Sequence, residues 1–462
     1  MASQRLRGGA VILLLVVLGC GQAQGEDSFG ATMLRGAHVN DVPRVLDSFG
    51  DVGEYTSIAI GVDGLPVISY HDGTNFDLKV YACADSGCAS GTAHVLDSEF
   101  AVGRYTSIVV RANGLPIISY QSSTMASLRA YDCTSADCSS GLVRFLDAGS
   151  VGVDSSIAIR ADGRPIISYF DNKNWNLKIY DCTTVTCSSG SARTLTDGEG
   201  LVGTDTSIAI RLDGMPVVSY RDIDNAALKL YTCSATDCSS GSSRTLDAIG
   251  DVGRYSSIAI RADGRPVVSY FNNATKDLMM YSCSTVECST GTRRILDSLP
   301  SPGWYTSIAI GVDGMPIISH YNNSGSEQSL RVFVCTDVNC MAGFSRELDA
   351  APGVGAFTGI AIRNNGLPIV SYYDGSNGDL KVYGCADATC NRDRLFADGF
   401  EPANRGASRK PAPAGYPAQS IRLNDAFIQG AGLRGLHKRY ARAILKFSVQ
   451  ESQRRRDANN VS

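Results

Sequence analysis

Thr56-Ser57-Ile58-Ala59-Ile60-Gly61-Val62-Asp63-Gly64-Leu65-Pro66-Val67-Ile68-Ser69-Tyr70 decides the fold, because the chain repeats it. Its copies put Ile58, Ile108, Ile157, Ile208, Ile258, Ile308 and Ile360 in one register, with steps of 50, 49, 51, 50, 50 and 52 residues. So steady a period marks an array of one supersecondary unit, which overrides the two or three domains suggested by a length of 462 residues. Each copy continues through a second apolar run, such as Leu78-Lys79-Val80-Tyr81-Ala82-Cys83, and closes on a third, such as Val95-Leu96-Asp97. The runs are short, rich in Ile, Val and Tyr, and bounded by Gly, Asp, Asn and Ser, which is the strand signal. Four strands per unit follow, A to D. Asp63-Gly64 and its counterparts supply the positive φ of the A–B hairpin, and Pro66 starts strand B where a missing N–H is tolerated.

In strand A, Ser57 and Ala59 point to one face while Ile58 and Ile60 point to the other. A small face meeting a large one is what sheets packed face to face around an axis require. Seven four-stranded antiparallel units resemble a seven-bladed β-propeller, so an all-β fold is expected over residues 42–401. A linear solenoid would need polar capping units, and none is found. Val42-Pro43-Arg44-Val45-Leu46-Asp47 reads as a strand D without its own A, B and C, and is one of two candidates to complete the last blade. Arg394-Leu395-Phe396-Ala397-Asp398 occupies the same place in the seventh copy, so one of the two must be displaced or add a fifth strand.

Fourteen of the 15 cysteines form seven pairs with a constant spacing: Cys83/Cys88, Cys133/Cys138, Cys182/Cys187, Cys233/Cys238, Cys283/Cys288, Cys335/Cys340 and Cys385/Cys390. Each pair flanks a C–D turn, so its two members are expected to face each other across a hairpin, within disulfide reach. A zinc site would need four ligands where each blade offers two without a regular His, so no metal is expected at these pairs. Disulfides imply an oxidising compartment. Residues 1–25 agree, reading as an export signal with Arg5 and Arg7 before the apolar core Ala10 to Leu18. Val17-Leu18-Gly19-Cys20 resembles a bacterial lipobox, making Cys20 a lipidation candidate; cleavage near Ala23 or Gly25 is the alternative. Residues 26–41 read as a linker.

With strand A innermost, the A–B turns and the disulfide hairpins share one face of the ring. The B–C and D–A loops, which differ between copies, share the other, and variable loops on a rigid scaffold are where recognition sits. Around the channel mouth on that variable face lie Tyr55, Tyr105, Asp154, Asp205, Tyr255, Tyr305 and Phe357, preceded by Glu54, Arg104, Val153, Thr204, Arg254, Trp304 and Ala356. Aromatic, acidic and Arg side chains around a concavity suit a sugar or another small polar ligand; the alternative is that the Tyr rings pack between blades. A second ring, Asp72, Ser122, Asp171, Asp222, Asn272, Asn322 and Asp374, suits Asx-turns; calcium is conceivable there, but no EF-hand spacing supports it and no cofactor is expected. At the far end of strand A, Arg111, Arg160, Arg211, Arg261 and Arg363 suggest local pairing with the Asp or Asn two residues later, with an anion funnel as the alternative.

No zincin His pair, Walker loop, Gly-x-Ser-x-Gly elbow or sialidase Asp box is present, and the five His occupy unrelated repeat positions. Carboxylates from different blades, such as Asp154 and Asp205, could still be assembled into a pair. The formal charge of −4 gives no global field for nucleic acid. Residues 402–462 read as a basic, mostly disordered tail; from 403 onward it holds twelve Lys or Arg against three Asp or Glu, and Leu433, Leu436, Tyr440, Ile444 and Phe447 would share one face if a basic amphipathic helix formed there. Before it, Phe396-Ala397-Asp398-Gly399-Phe400-Glu401 resembles the Phe-x-Asp-Gly-Phe-Glu ending of exported gammaproteobacterial proteins, although about 60 residues follow it here. The expectation is a monomeric bacterial binding module, secreted or at the cell surface, lectin-like in its use of the variable face, with a glycan or a protein as partner. Membrane contact would come only through Cys20 or the basic tail. A propeller glycosidase or lyase and a purely structural surface protein are the alternatives.

Overall fold

A computed structural model describes residues 42–196, 200–325 and 327–391. The export segment, Cys20, the linker, Arg394–Asp398, the Phe-x-Asp-Gly-Phe-Glu stretch and the basic tail lie outside the described residues. Seven four-stranded antiparallel sheets follow one another, each running A–B–C–D in sequence order except the last. In blade 1 the strands are Val52–Ile60, Pro66–Asp72, Asp77–Cys83 and Gly91–Asp97. The chain is a seven-bladed β-propeller.

Of the two candidate segments, the N-terminal one closes the ring. Blade 7 contributes A (Val354–Ile362), B (Pro368–Asp374) and C (Asp379–Gly384), and its strand D is Pro43–Asp47 from the other end of the described chain. The register shows that this strand is a true repeat element. Val45 faces Lys381 and Asp47 faces Leu380 across an irregularity, as Val95 faces Lys79 and Asp97 faces Leu78 in blade 1.

There is no single core. Seven apolar clusters each lie at a seam between blades; in one, Val67, Leu78 and Val80 of blade 1 meet Ile108, Ile118 and Tyr120 of blade 2, with Ala59 packed against them. The cluster holding Ile58, Ile68 and Tyr70 with Ile369, Leu380 and Val382 seals blade 1 to blade 7. Hence the small/large alternation of strand A: each blade offers small residues on one side and branched ones on the other.

Polar groups fasten the same seams. At four seams on the variable side, the Asp at the end of one strand D (Asp47, Asp97, Asp147 or Asp349) accepts from a Tyr and a Lys or Arg of the next blade. Asp47 takes Tyr70 and Lys79, both at 2.6 Å; Asp97 takes Tyr120 at 2.7 Å and Arg129 at 3.0 Å. Burial alone would raise the Asp47 carboxyl, but Lys79 and Tyr70 hold it below the ordinary carboxylate value.

On the other side, the seven cysteine pairs are bridged as expected, with Cα–Cα distances of 4.7–5.0 Å. Their placement corrects the sequence reading, which set the two members of each pair opposite one another across the hairpin. Only the first cysteine belongs to the ladder: Cys83, Cys133, Cys182, Cys233, Cys283 and Cys335 each end a strand C. The second members, Cys88, Cys138, Cys187, Cys238, Cys288, Cys340 and Cys390, lie in no strand but inside the connecting turn, all with φ between 51° and 56°. Each donates its N–H to the carbonyl three residues back, as Cys88 does to Asp85 O at 3.0 Å and Cys390 to Asp387 O at 3.2 Å. The residue opposite Cys83 in the ladder is Gly91, and Cys133 likewise faces Gly141. The reason is steric. A Cβ at Gly91 would meet the Tyr81 ring at 2.4 Å, so no cysteine fits there, and the left-handed turn brings the second sulphur back to the end of strand C instead.

The arginines ending strand A reach these loops. Arg111 donates to Val185 O and Cys133 O, Arg160 to Thr236 O and Cys182 O, and Arg363 to Ser86 O and Cys385 O. Each thus joins its own strand C to the disulfide loop of the next blade. Local pairing with the Asp two residues on is made well only by Arg211, with Asp213 at 2.8 Å. A buried guanidinium has five donors to satisfy, and one exposed carboxylate cannot do it.

Candidate functional site

The seven residues at the channel mouth share an unusual backbone. Tyr55, Tyr105, Asp154, Asp205, Tyr255, Tyr305 and Phe357 all have φ between 51° and 54°, and none is glycine. They sit at a break in the A–B ladder, such as that between Glu54 and Ser57, so the bulge turns each side chain toward the axis. Left-handed non-glycine residues cost of order 1 kcal/mol or more each, and the ring carries seven.

Five are aromatic and stack in sequence around the axis. Ring centroids are 4.6 Å apart for Tyr255–Tyr305, 4.4 Å for Tyr305–Phe357, 4.5 Å for Phe357–Tyr55 and 4.6 Å for Tyr55–Tyr105. The packing alternative and the ligand alternative therefore share one structure: the rings buttress each other and also line the opening. The other two places belong to Asp154 and Asp205. Asp154 Oδ2 accepts the Asp205 N–H at 2.8 Å, and Asp205 Oδ1 accepts the Tyr255 N–H at 2.7 Å. Neither carboxylate has an ion-pair partner within 4 Å among the described residues. Burial, then the charge of Asp205, push Asp154 up to about 7; burial also raises Asp205, opposed by the Tyr255 N–H and by Arg221 and Arg254.

The fourteen residues of this ring and the Thr/Ser ring beneath it enclose a cavity of about 180 Å³. Hydroxyls of the lower ring are spent on backbone carbonyls of the upper one: Thr106 Oγ1 donates to Tyr55 O, and Ser256 Oγ to Asp205 O.

The preceding residues form an outer rim. Arg254 pairs with Asp251 at 3.1 Å. Trp304 donates Nε1–H to Ser301 and lies 5.2 Å from the Phe271 ring and 5.6 Å from Tyr255. Glu54 is partly buried, its carboxyl raised by burial and Asp51 against the pull of Arg104. Arg104 is exposed and forms no ion pair among the described residues.

The structure adds a ring that sequence reading missed. His71, Gln121, Phe170, Arg221, Phe271, Tyr321 and Tyr373, from strand B, stand behind the mouth. Tyr373 donates to Asp51 at 2.6 Å, and Arg221 pairs with Asp251 at 2.6 Å. The signal was available: after the recurrent Ser-Tyr of strand B, this position takes five different residue types in seven copies. The second ring is committed elsewhere. Asp72, Asp171 and Asp374 each accept two backbone amides and one Asn side chain of their own loops, as Asx-turns do. No group of three metal-ligating side chains is assembled among the described residues. The outer loops of this face also carry Phe49, 81% exposed, and Trp175, 54% exposed. Trp175 holds φ at 61°, where blade 7 uses Gly378.

No family model and no curated protein matches the chain. Among solved structures it is similar to a protein of unknown function from Dyadobacter fermentans, at 11% identity and a TM-score of 0.48, over 74% of this chain and 97% of that one. It is also similar to the NanB sialidase of Streptococcus pneumoniae, at 10% identity and a TM-score of 0.44, over 73% and 69%. A leech intramolecular trans-sialidase follows at 11% and 0.40, over 73% and 68%. These likenesses are of architecture, which the strand topology already establishes.

Proposed function

We propose that the chain is a binding module acting outside the cytosol, with the channel mouth of the variable face as its ligand site and the end of a glycan chain as the ligand. One observation carries the reading. At the channel mouth the repeat breaks its own pattern around one concavity, with Asp154 and Asp205 among aromatic rings and unpaired by any cation among the described residues. A structural ring would repeat one residue seven times; a recognition site needs asymmetry. Seven disulfides suit an oxidising compartment. Export through residues 1–25, with Cys20 as a lipid anchor, and a monomeric state belong to the same proposal.

A second reading, hydrolysis of the bound glycan, is favoured by Asp154. A carboxyl raised to about 7 beside a second carboxyl can hold a proton at neutral pH. A glycan array probed with the purified protein and with Tyr105→Ala tests both. Binding that the substitution abolishes is the expected result, and absence of binding to any glycan overturns the reading. Cleavage of a captured glycan, lost in Asp154→Asn, would replace binding with catalysis.

A further inference from the structure

We propose that the gap between Tyr105 and Tyr255 is a receptor for an organic ammonium group; this deepens the reading above and rests on it. The argument starts from ring spacing. Neighbouring rings in the run Tyr255–Tyr305–Phe357–Tyr55–Tyr105 are 4.4–4.6 Å apart and inclined by 43–54°. Rings this close cannot lie edge to edge, so they overlap in a pinwheel, each face covered by the next. Two of its seven places hold Asp154 and Asp205, whose side chains are too short to continue the stack. Among the described residues the Tyr105 ring contacts no ring other than Tyr55, so no ring continues the stack toward Asp154. At the other end, Tyr255 faces the place held by Asp205.

The gap therefore has aromatic walls and two carboxylates, within the cavity of about 180 Å³. Each carboxylate accepts one backbone N–H. The nearest guanidinium groups, on Arg221 and Arg254, are engaged with Asp251. Two adjacent acids with no ion pair of their own among the described residues repel an anion, and a neutral hydroxyl can donate to them but offsets none of their charge. A cation satisfies both at once and is attracted by the tyrosine faces.

The chemistry is shared by a simple alkylamine and by an amino sugar, and the test separates them. Calorimetric titration of the purified protein with glucosamine, N-acetylglucosamine and propylamine should show glucosamine bound at least about tenfold more tightly than its acetylated, uncharged form. Asp154→Asn and Asp205→Asn, near-isosteric and checked for an unchanged circular dichroism spectrum, should each weaken glucosamine about tenfold or more. Propylamine bound as well as glucosamine would identify a simple amine as sufficient; glucosamine alone would identify the amino sugar. Equal binding of N-acetylglucosamine, amine binding indifferent to both substitutions, or no amine binding overturns the inference. If a neutral sugar binds instead and Tyr105→Ala abolishes it, the mouth remains a ligand site and only the ammonium assignment falls.

Discussion

Asp154 links the site to stability. Its carboxyl, raised to about 7 by burial and by Asp205, returns to an ordinary value near 3.8 when the chain unfolds. Between those two values the folded state holds a proton that the unfolded state has released, so folding is progressively disfavoured as pH rises through that window. The groups facing it are Asp205 and Tyr105, with Arg221 and Arg254 beyond Asp205. Asp154→Asn keeps an acceptor for the Asp205 N–H and removes the titration. Thermal midpoints of both proteins from pH 4.5 to 8 should diverge, the variant gaining on the parent as pH rises; parallel curves would exclude the effect. At this scale the sequence was half legible. Asp154 and Asp205 stand out because five copies carry an aromatic residue in their place. His71, Gln121 and Arg221 were hidden, because the flanking Ser-Tyr made strand B look uniformly structural, and only the bulge in strand A brings that row behind the mouth.

The strands, the hairpins and the pairing of the cysteines were legible for one reason: each is a local device whose parts lie within a few residues. Where the second cysteine sits was not, because a left-handed φ at Cys88 or Cys138 is a backbone property that the spacing of two cysteines does not record. The arginine latches were not legible either, because their acceptors are backbone carbonyls 74–77 residues away in most cases, and carbonyls leave no mark on a sequence. They also assign a task to disulfides that close loops too short to remove much chain entropy: a rigid loop presents its carbonyls to the neighbouring blade. Blade 6 shows what happens without the latch. Gly311 stands where five blades have Arg, and a cavity of about 260 Å³ lies there, lined by Val312, Ile317, Val334, Phe344, Ile362 and Ala388 among others. Gly311→Arg should fill it, donating to Cys335 O and Ala388 O as its counterparts do to theirs. A Cβ at Gly311 meets the end of Asp313 at 2.6 Å and the Met315 carbonyl at an ordinary 3.4 Å, and Asp213 and Asp263 accommodate an Arg in the same place. The expected gain is about 1 kcal/mol, roughly 1–2 °C in the thermal midpoint. A lower midpoint would show that the latch does not carry stability.

Over the whole ring, the joint between the two ends of the propeller would be expected to be the weakest, yet it is among the best fastened. Blade 7 grips the blade 1 disulfide loop twice, Arg363 on Ser86 O and Arg44 on Gly87 O, and Asp47 is bound by Tyr70 and Lys79. The same double grip joins blade 3 to blade 4 through Arg160 and Arg193, and blade 4 to blade 5 through Arg211 and Arg244. Between blades 1 and 2 it is missing. Gly61 replaces the first arginine and His94 the second, and Asp137 is held by Ser139 of its own loop, with no arginine of blade 1 on it. On the variable side this seam is sound, with Asp97 holding Tyr120 and Arg129. A ring opens where its fastenings are fewest, and local opening exposes amides there before the global transition. Hydrogen exchange should therefore be fastest, among the seven equivalent segments, at the blade 1 turn 61–65 and the blade 2 disulfide loop 134–138. The pair Gly61→Arg and His94→Arg should slow it to the rate of the blade 4 loop. Exchange that starts instead at Pro43–Asp47 would mean that strand insertion, and not the arginine latch, limits the integrity of the ring.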